Sequence, residues 1–121
     1  MSLTCWLDWD GDVTIVRIRG KIDTSTSPRL SRCLRAALID GRAEMVLDMN
    51  EVTFIDAQGL GTLGRFFRDC RDRDRALALT NVSPFIRRLL YAVGFNRSLT
   101  ILESVSPGPD GGPTRGTETA W

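Results

Sequence analysis

The segment Phe54–Gly64 contains the residue types that most clearly suggest a functional site. It places three glycines, Gly59, Gly61 and Gly64, at the beginning of a predicted helix, where each costs roughly 0.8–1 kcal/mol relative to alanine. Glycine is tolerated there when the backbone must approach another group closely. That group is the domain's own sheet, a partner protein or a ligand. Asp56 precedes the glycines and is well placed to cap the helix, because its carboxylate would meet the first free N–H groups.

The three glycines also match the G-x-G-x-x-G pattern of dinucleotide-binding folds, but the rest of that motif is missing. An acidic residue should follow about 20 residues later to bind a ribose, and the sequence there is Leu77–Asn81. A second enzymatic interpretation pairs Asp23 with Asp56 as Mg²⁺ ligands or acid–base groups. Aspartate more often caps a helix or a turn at such positions. We therefore predict no catalytic residue, no metal and no cofactor.

The side chains that usually support nucleophilic or metal chemistry are scarce. The chain contains no histidine, which removes the usual general base and the usual metal ligand. Its three cysteines, Cys5, Cys33 and Cys70, lie far apart and form no C-x-x-C pair. An odd number of scattered cysteines is typical of buried free thiols in a reducing compartment. We accordingly expect a cytoplasmic protein without disulfides.

The charge distribution bears on the class of partner. The 121 residues contain 16 basic and 15 acidic side chains, so the formal net charge of +1 offers no excess for nucleic acid or anionic lipid. Arg65/Asp69, Arg68/Asp72 and Asp69/Arg73 stand at i, i+4, which predicts a solvated, self-paired helix end. No apolar stretch approaches the roughly 20 residues of a membrane-spanning helix. We therefore predict neither nucleic-acid binding nor membrane insertion.

The apolar periodicity indicates the elements that position this segment. Two alternating stretches around the turn Asp10–Asp12 predict an antiparallel hairpin. Three apolar stripes predict helices, two of them beginning with a capping hydroxyl before proline, at Ser27 and Ser83. Short apolar runs predict further strands at 44–49, 76–80 and 99–102, and residues 52–56 lead into the second helix. Helical crossovers favour parallel pairing, so the predicted class is α/β, a mixed four- to five-stranded sheet with about three flanking helices.

The composition changes sharply near the C-terminal end of the chain. From residue 104 to 121, proline, glycine and threonine dominate and apolar residues almost vanish. Such a segment buries too little apolar surface to offset the cost of ordering it. The sequence therefore predicts a domain at 3–103 and a disordered tail at 104–121.

Several short motifs together resemble a known family. Ile22-Asp23 after Gly20, Phe54–Gly61, and Asn81–Pro84 are similar to the STAS domain of bacterial anti-sigma factor antagonists. The resemblance extends from about Trp6 to Leu102. It implies the mixed sheet with flanking helices described above. It also implies an anti-sigma factor, often a serine kinase, as the protein partner.

One position departs from the regulated members of that family. The resemblance implies a phosphorylated serine or threonine immediately before the motif glycine, and Gln58 stands there. An amide cannot accept a phosphoryl group, and it lacks the charge of about −1.5 to −2 that phosphoserine carries. Thr62 is the nearest hydroxyl, but a threonine inside the apolar stripe is more often structural. The usual phosphorylation switch is therefore predicted to be absent.

Two functions fit these features. The first is a phosphorylation-independent anti-sigma factor antagonist, present as a monomer or homodimer, which regulates transcription by protein–protein binding. The second is a scaffold or accessory subunit of a signalling or transporter-associated complex, which also needs no phosphorylatable serine. In either case we expect the partner to contact the beginning of the glycine-rich helix and the turn after the second strand, through Asp23, Thr24, Asp56, Ala57, Gln58, Gly59, Leu60, Gly61 and Thr62.

Overall fold

The computed structural model describes residues 3–40, 42–95 and 100–102, and within them forms a five-stranded mixed sheet with three helices. The strand order is the sequence order; the first two strands are antiparallel and the others parallel. The predicted fold class is confirmed. The elements are β1 (Leu3–Asp10), β2 (Val13–Ile22), α1 (Ser27–Asp40), β3 (Glu44–Ile55), α2 (Ala57–Asp72), β4 (Ala76–Thr80), α3 (Pro84–Ala92) and β5 (Thr100–Ile101). The predicted tail at 104–121 and the domain end at residue 103 lie outside the described residues.

Strand β3 is longer than the sequence indicated. The strand was predicted at 44–49, but in the structure it continues through residues 50–55. The pairs Arg17↔Asp48 and Arg19↔Glu51 show that β3 has one residue more than β2 between them, and a second shift follows beyond Gly20. These irregularities are β-bulges, which let Asn50 and its neighbours remain within the strand. The bulged strand carries the chain as far as Ile55, directly before α2.

All three helices pack on one face of the sheet. A single apolar cluster combines alternate strand residues, such as Val16 and Leu47, with Leu34 of α1, Phe67 of α2 and Leu90 of α3. Right-handed crossovers between neighbouring parallel strands produce this one-sided arrangement. No described helix is long and apolar enough to cross a membrane.

Ion pairs and hydrogen bonds connect strands on the opposite face. The Arg17 guanidinium bridges Asp8 of β1 at 2.9 Å and Asp48 of β3 at 2.8 Å. Asp48 also accepts a hydrogen bond from the Asn81 amide at 3.1 Å. Bonded side chains from β1, β2 and β3 therefore meet on this face, which also carries the buried apolar residues Ile15 and Val46.

The two predicted hydroxyl caps have different outcomes. Ser83 caps α3 as expected, since its hydroxyl accepts a hydrogen bond from the Ile86 N–H at 3.2 Å. The prediction for Ser27 was wrong. Its buried hydroxyl instead donates to the Asp23 carbonyl oxygen at 2.8 Å. The turn before α1 folds back over Ser27, so the hydroxyl bonds to that turn.

The prediction of scattered free thiols was wrong for two of the three cysteines. Cys5 of β1 and Cys33 of α1 form a disulfide across 28 residues of sequence. Sequence spacing did not indicate it because the pair is brought together by the packing of α1 on the edge strand. Cys70 is a buried free thiol, as predicted, and burial raises its pKa to about 11.

The charged end of α2 also differs from expectation. None of the i, i+4 pairs Arg65/Asp69, Arg68/Asp72 or Asp69/Arg73 forms an ion pair in the described structure; on this helix Arg71 contacts Asp72 at 3.9 Å. In the three predicted pairs the side chains are exposed, and such pairs contribute only a few tenths of a kcal/mol against water and side-chain entropy. The helix end is solvated as predicted, but the prediction that its charges pair at i, i+4 was wrong.

We expect the Cys5–Cys33 disulfide to stabilise the domain by about 3–4 kcal/mol, because it closes a loop of nearly thirty residues in the unfolded chain. Denaturant unfolding with and without reductant measures the difference. In the double variant C5S/C33S, reductant should change nothing. Equal stability of the oxidised and reduced parent protein would contradict this prediction.

Candidate functional site at the start of helix α2

The Asp56 carboxylate joins the beginning of α2 to the loop between β2 and α1. One oxygen, Oδ1, accepts a hydrogen bond from the Gly59 N–H at 2.8 Å, as a helix cap does. The other, Oδ2, accepts from the Thr24 N–H at 3.3 Å. The Asp56 N–H itself donates to the Ile22 carbonyl at 3.1 Å. A single side chain thus holds the two connections that follow β2 and β3 side by side.

Asp23 orders the β2–α1 loop from within. Its Oδ1 accepts hydrogen bonds from the Ser25 hydroxyl at 2.8 Å, the Ser25 N–H at 3.0 Å and the Thr26 N–H at 3.1 Å. The hydrogen bond from the Ser25 hydroxyl lowers the pKa of Asp23 below its usual range; the bonds from Thr26 lower it further, and desolvation opposes them. The charged form of Asp23 is therefore the one the loop requires. Sequence analysis missed Ser25, although serine two residues after aspartate is typical of such turns.

Asp23 is engaged within the β2–α1 loop, and Asp56 joins that loop to the beginning of α2. Each carboxylate is occupied by backbone N–H groups close to it in the chain. Among the described residues, no group of three or more His, Cys, Asp or Glu side chains is arranged to bind a metal ion. This arrangement can present a fixed backbone surface to another molecule.

Two of the three glycines are required by packing inside the domain. A Cβ atom on Gly59 would lie 2.6 Å from Ile22 Cγ2 and would also collide with the Ile22 carbonyl oxygen. A Cβ on Gly64 would lie 2.7 Å from the ring of Phe95. For these two positions the close neighbour is the protein itself. Gly61 differs, because its nearest neighbour would be the flexible end of Arg65 at 3.8 Å.

The residues predicted to contact a partner fall into three groups by exposure. Exposed residues are Thr24, Ala57, Gln58 and Gly61; half-buried residues are Asp23, Asp56 and Leu60; buried residues are Gly59 and Thr62. We call the four exposed residues the α2-start surface. The structure therefore brings most of the predicted set to one end of the sheet, with Gly59 and Thr62 beneath its surface.

Leu60 and Thr62 support α2 from its inner side. Leu60 packs against the apolar core. Thr62 is 4% exposed, and its hydroxyl donates to the Gln58 carbonyl at 3.2 Å and accepts from Arg65 at 3.3 Å. A hydroxyl in this position is not presented at the surface for modification.

An exposed aromatic side chain near the site was not predicted. Phe54 lies two residues before Asp56, pairs with Lys21 across the strands, and is 43% exposed. Alternation along a strand would have placed it opposite the buried Ile55, on the face without helices. The alternation of side chains along the strand could therefore have identified Phe54 from the sequence.

Comparisons with known proteins show the family and the fold. The model of the STAS domain matches residues 8–107. The anti-sigma-B factor antagonist of Listeria monocytogenes is 27% identical over 92 residues, which cover 76% of this chain and 81% of that protein. The crystal structure of an anti-sigma factor antagonist from Mycobacterium paratuberculosis has a TM-score of 0.79 at 21% identity, covering 98% of this chain and 93% of that one. The Bacillus cell fate determinant SpoIIAA in its phosphorylated form gives 0.70 at 14% identity, with 98% and 100% covered.

We expect G59A and G61A to have opposite effects on stability. The added methyl group of G59A meets Ile22, so this variant should lose about 1–3 kcal/mol as overpacked sites do. In G61A the methyl group is exposed within a helix, and the variant should gain up to about 1 kcal/mol. Chemical denaturation of the two variants beside the parent tests both signs at once. Equal effects would show that the close approach of Gly59 to Ile22 is not what excludes a side chain there.

Proposed function

The chain belongs to the STAS domain family, and we propose that it acts as an anti-sigma factor antagonist, a non-enzymatic protein that binds an anti-sigma factor through the α2-start surface. The observation that carries the proposal is the pair of hydrogen bonds that the Asp56 carboxylate accepts from the Gly59 and Thr24 N–H groups. These bonds join two loops, and the α2-start surface lies exposed on them. A surface fixed before binding loses little conformational entropy when a partner docks. Anti-sigma-B factor antagonists are among the chain's relatives.

The chemistry of the α2-start surface suits a protein partner. Ala57 and Gly61 leave the helix backbone accessible, and Thr24 and Gln58 offer hydrogen-bonding groups at the two sides. The carboxylates of Asp23 and Asp56 are engaged with backbone N–H groups and only half-exposed. Small side chains around fixed polar groups allow close, shape-dependent contact with another polypeptide.

We propose that docking does not depend on phosphorylation at position 58. Gln58 is exposed, as a regulatory side chain must be, but its amide accepts no phosphoryl group. It is also neutral and therefore does not imitate phosphoserine. Thr62, the nearest hydroxyl on the helix, is buried and hydrogen-bonded. The antagonist would then be controlled by its amount or by its partner.

The variant G61R tests the proposed docking surface. A long cationic side chain at this exposed position should weaken binding of an anti-sigma factor from the same genome by at least about tenfold, because it occupies the space of the partner. Isothermal titration calorimetry with the purified pair gives the dissociation constants.

The matched control is A36R, which places the same side chain on an exposed position of α1. It should bind like the parent, and circular dichroism should show both variants folded. Equal weakening by A36R, or undiminished binding by G61R, would count against the α2-start surface. A large homo-assembly that binds no anti-sigma factor would instead favour a scaffold role.

The variant Q58S tests whether the recognition surface of a regulated antagonist is otherwise retained. If the partner is a serine kinase, we expect it to phosphorylate Q58S and not the parent protein, since the substitution supplies an exposed hydroxyl on an unchanged helix start. Intact-protein mass spectrometry after incubation with Mg-ATP gives the answer, and Q58A serves as the control. Phosphorylation of the parent protein would show that a hydroxyl elsewhere is used.

A further inference from the structure

We propose that the groove between α1 and α2 binds an acidic, partly apolar segment of the partner protein. The groove encloses about 440 Å³ and begins beside the α2-start surface. This inference rests on the proposed function for the presence of a protein partner. The titration that tests it requires no anti-sigma factor, so the two proposals fail separately.

Positive charge dominates the lining of the groove. Arg35, Arg65 and Arg73 line it together with a single acidic residue, Asp69. In the part of the chain that the structure describes, none of these three arginines forms an ion pair. Arg65 donates a hydrogen bond to the neutral Thr62 hydroxyl. Guanidinium groups without carboxylate partners favour an acidic ligand.

The acidic residue of α1 is occupied elsewhere. The helix contains three arginines and one aspartate, a net charge of +2, while the chain as a whole has +1. That aspartate, Asp40, accepts hydrogen bonds from Thr14 at 2.8 Å and Trp9 at 3.2 Å, and it pairs with Arg42 at 3.1 Å. The α1 side of the groove therefore has no carboxylate of its own helix directed at Arg35.

The apolar part of the lining favours a polypeptide over a nucleic acid. Leu34, Leu38 and Phe66 line the groove but are buried, and Ile39 is the apolar side chain of the lining that is largely exposed, at 73%. An apolar side chain of a peptide would cover Ile39, whereas a phosphate backbone would not. Acidic and apolar residues in one segment match both components of the groove.

The groove is also held in shape before binding. At its far end, Arg75 donates hydrogen bonds to the carbonyl oxygens of Leu38 at 2.7 Å and Ala37 at 3.4 Å, which joins the end of α1 to the chain entering β4. Cys33 ties the same helix to β1. At its near end, Thr62 lines the groove and bonds to the Gln58 carbonyl. A partner docked on the α2-start surface would therefore find the groove preformed and directly adjacent.

The experiment is an NMR titration of the full-length protein with a synthetic peptide of about twelve Glu and Leu residues, the length of a short helix or strand. We expect shifts at the Arg35 and Arg65 side chains and the Ile39 methyl groups. The variant R35E/R65E should bind about tenfold more weakly at low salt, because two cations that attract the glutamates are replaced by anions that repel them. Raising the salt concentration should weaken the parent's binding.

The matched control is R32E/R68E, which makes the same charge change on the same two helices at exposed positions outside the groove lining. It should bind like the parent. Equal weakening by the two variants, equal binding of a Lys and Leu peptide, or no shift in the groove would overturn the proposal. So would tighter binding of single-stranded oligouridylate at the same residues, which would assign the groove to nucleic acid.

Discussion

The Asp56 carboxylate, shared between the Gly59 and Thr24 N–H groups, is the interaction on which the proposed binding end of the domain depends. Parallel strands β2 and β3 deliver their loops to the same edge of the sheet, but adjacency alone leaves each loop free to move. Asp23 orders one loop from within, and the Asp56 carboxylate joins the two by accepting hydrogen bonds from a free donor of α2 and from a donor of the neighbouring loop. The contact works because Gly59 has no side chain to keep α2 away from Ile22. The Asp56 hydrogen bonds and the close contact between Gly59 and Ile22 therefore depend on each other.

Much of the fold was predictable because its elements have strong local signals. The Asp10–Asp12 turn, the Ser83-Pro84 start of α3 and the apolar stripe of α2 each follow from short-range physics, and each appears as expected. Asp56 as a helix cap was predictable for the same reason, since its partner lies three residues away. Its second bond, to Thr24, spans 32 residues and depended on the sheet being assembled.

The features that sequence analysis missed depend on distant packing or on competition with water. Cys5 and Cys33 meet because α1 crosses the edge strand, which their spacing does not encode. The glycines could have served the sheet, a partner or a ligand, and only the position of Ile22 and Phe95 distinguishes these roles. The Arg/Asp pairs of α2 have suitable spacing but no burial, so hydration competes with pairing. The proposal for the groove between α1 and α2 depends on this missing pairing, because Arg65 and Arg73 form no ion pair in the described structure.

The position of Gln58 has a consequence for how such a domain acquires or loses regulation. Its side chain is exposed, while the residues that set the helix start, Asp56 and Gly59, are engaged with the neighbouring loop and strand. The chemical character of residue 58 is therefore uncoupled from the architecture beneath it. Under the proposed function, exchange of this one side chain would add or remove a site of covalent control while Asp56 and Gly59 stay unchanged. In that case the residue that determines regulation and the residues that determine the backbone at the start of α2 are different ones, so each can change in evolution without the other.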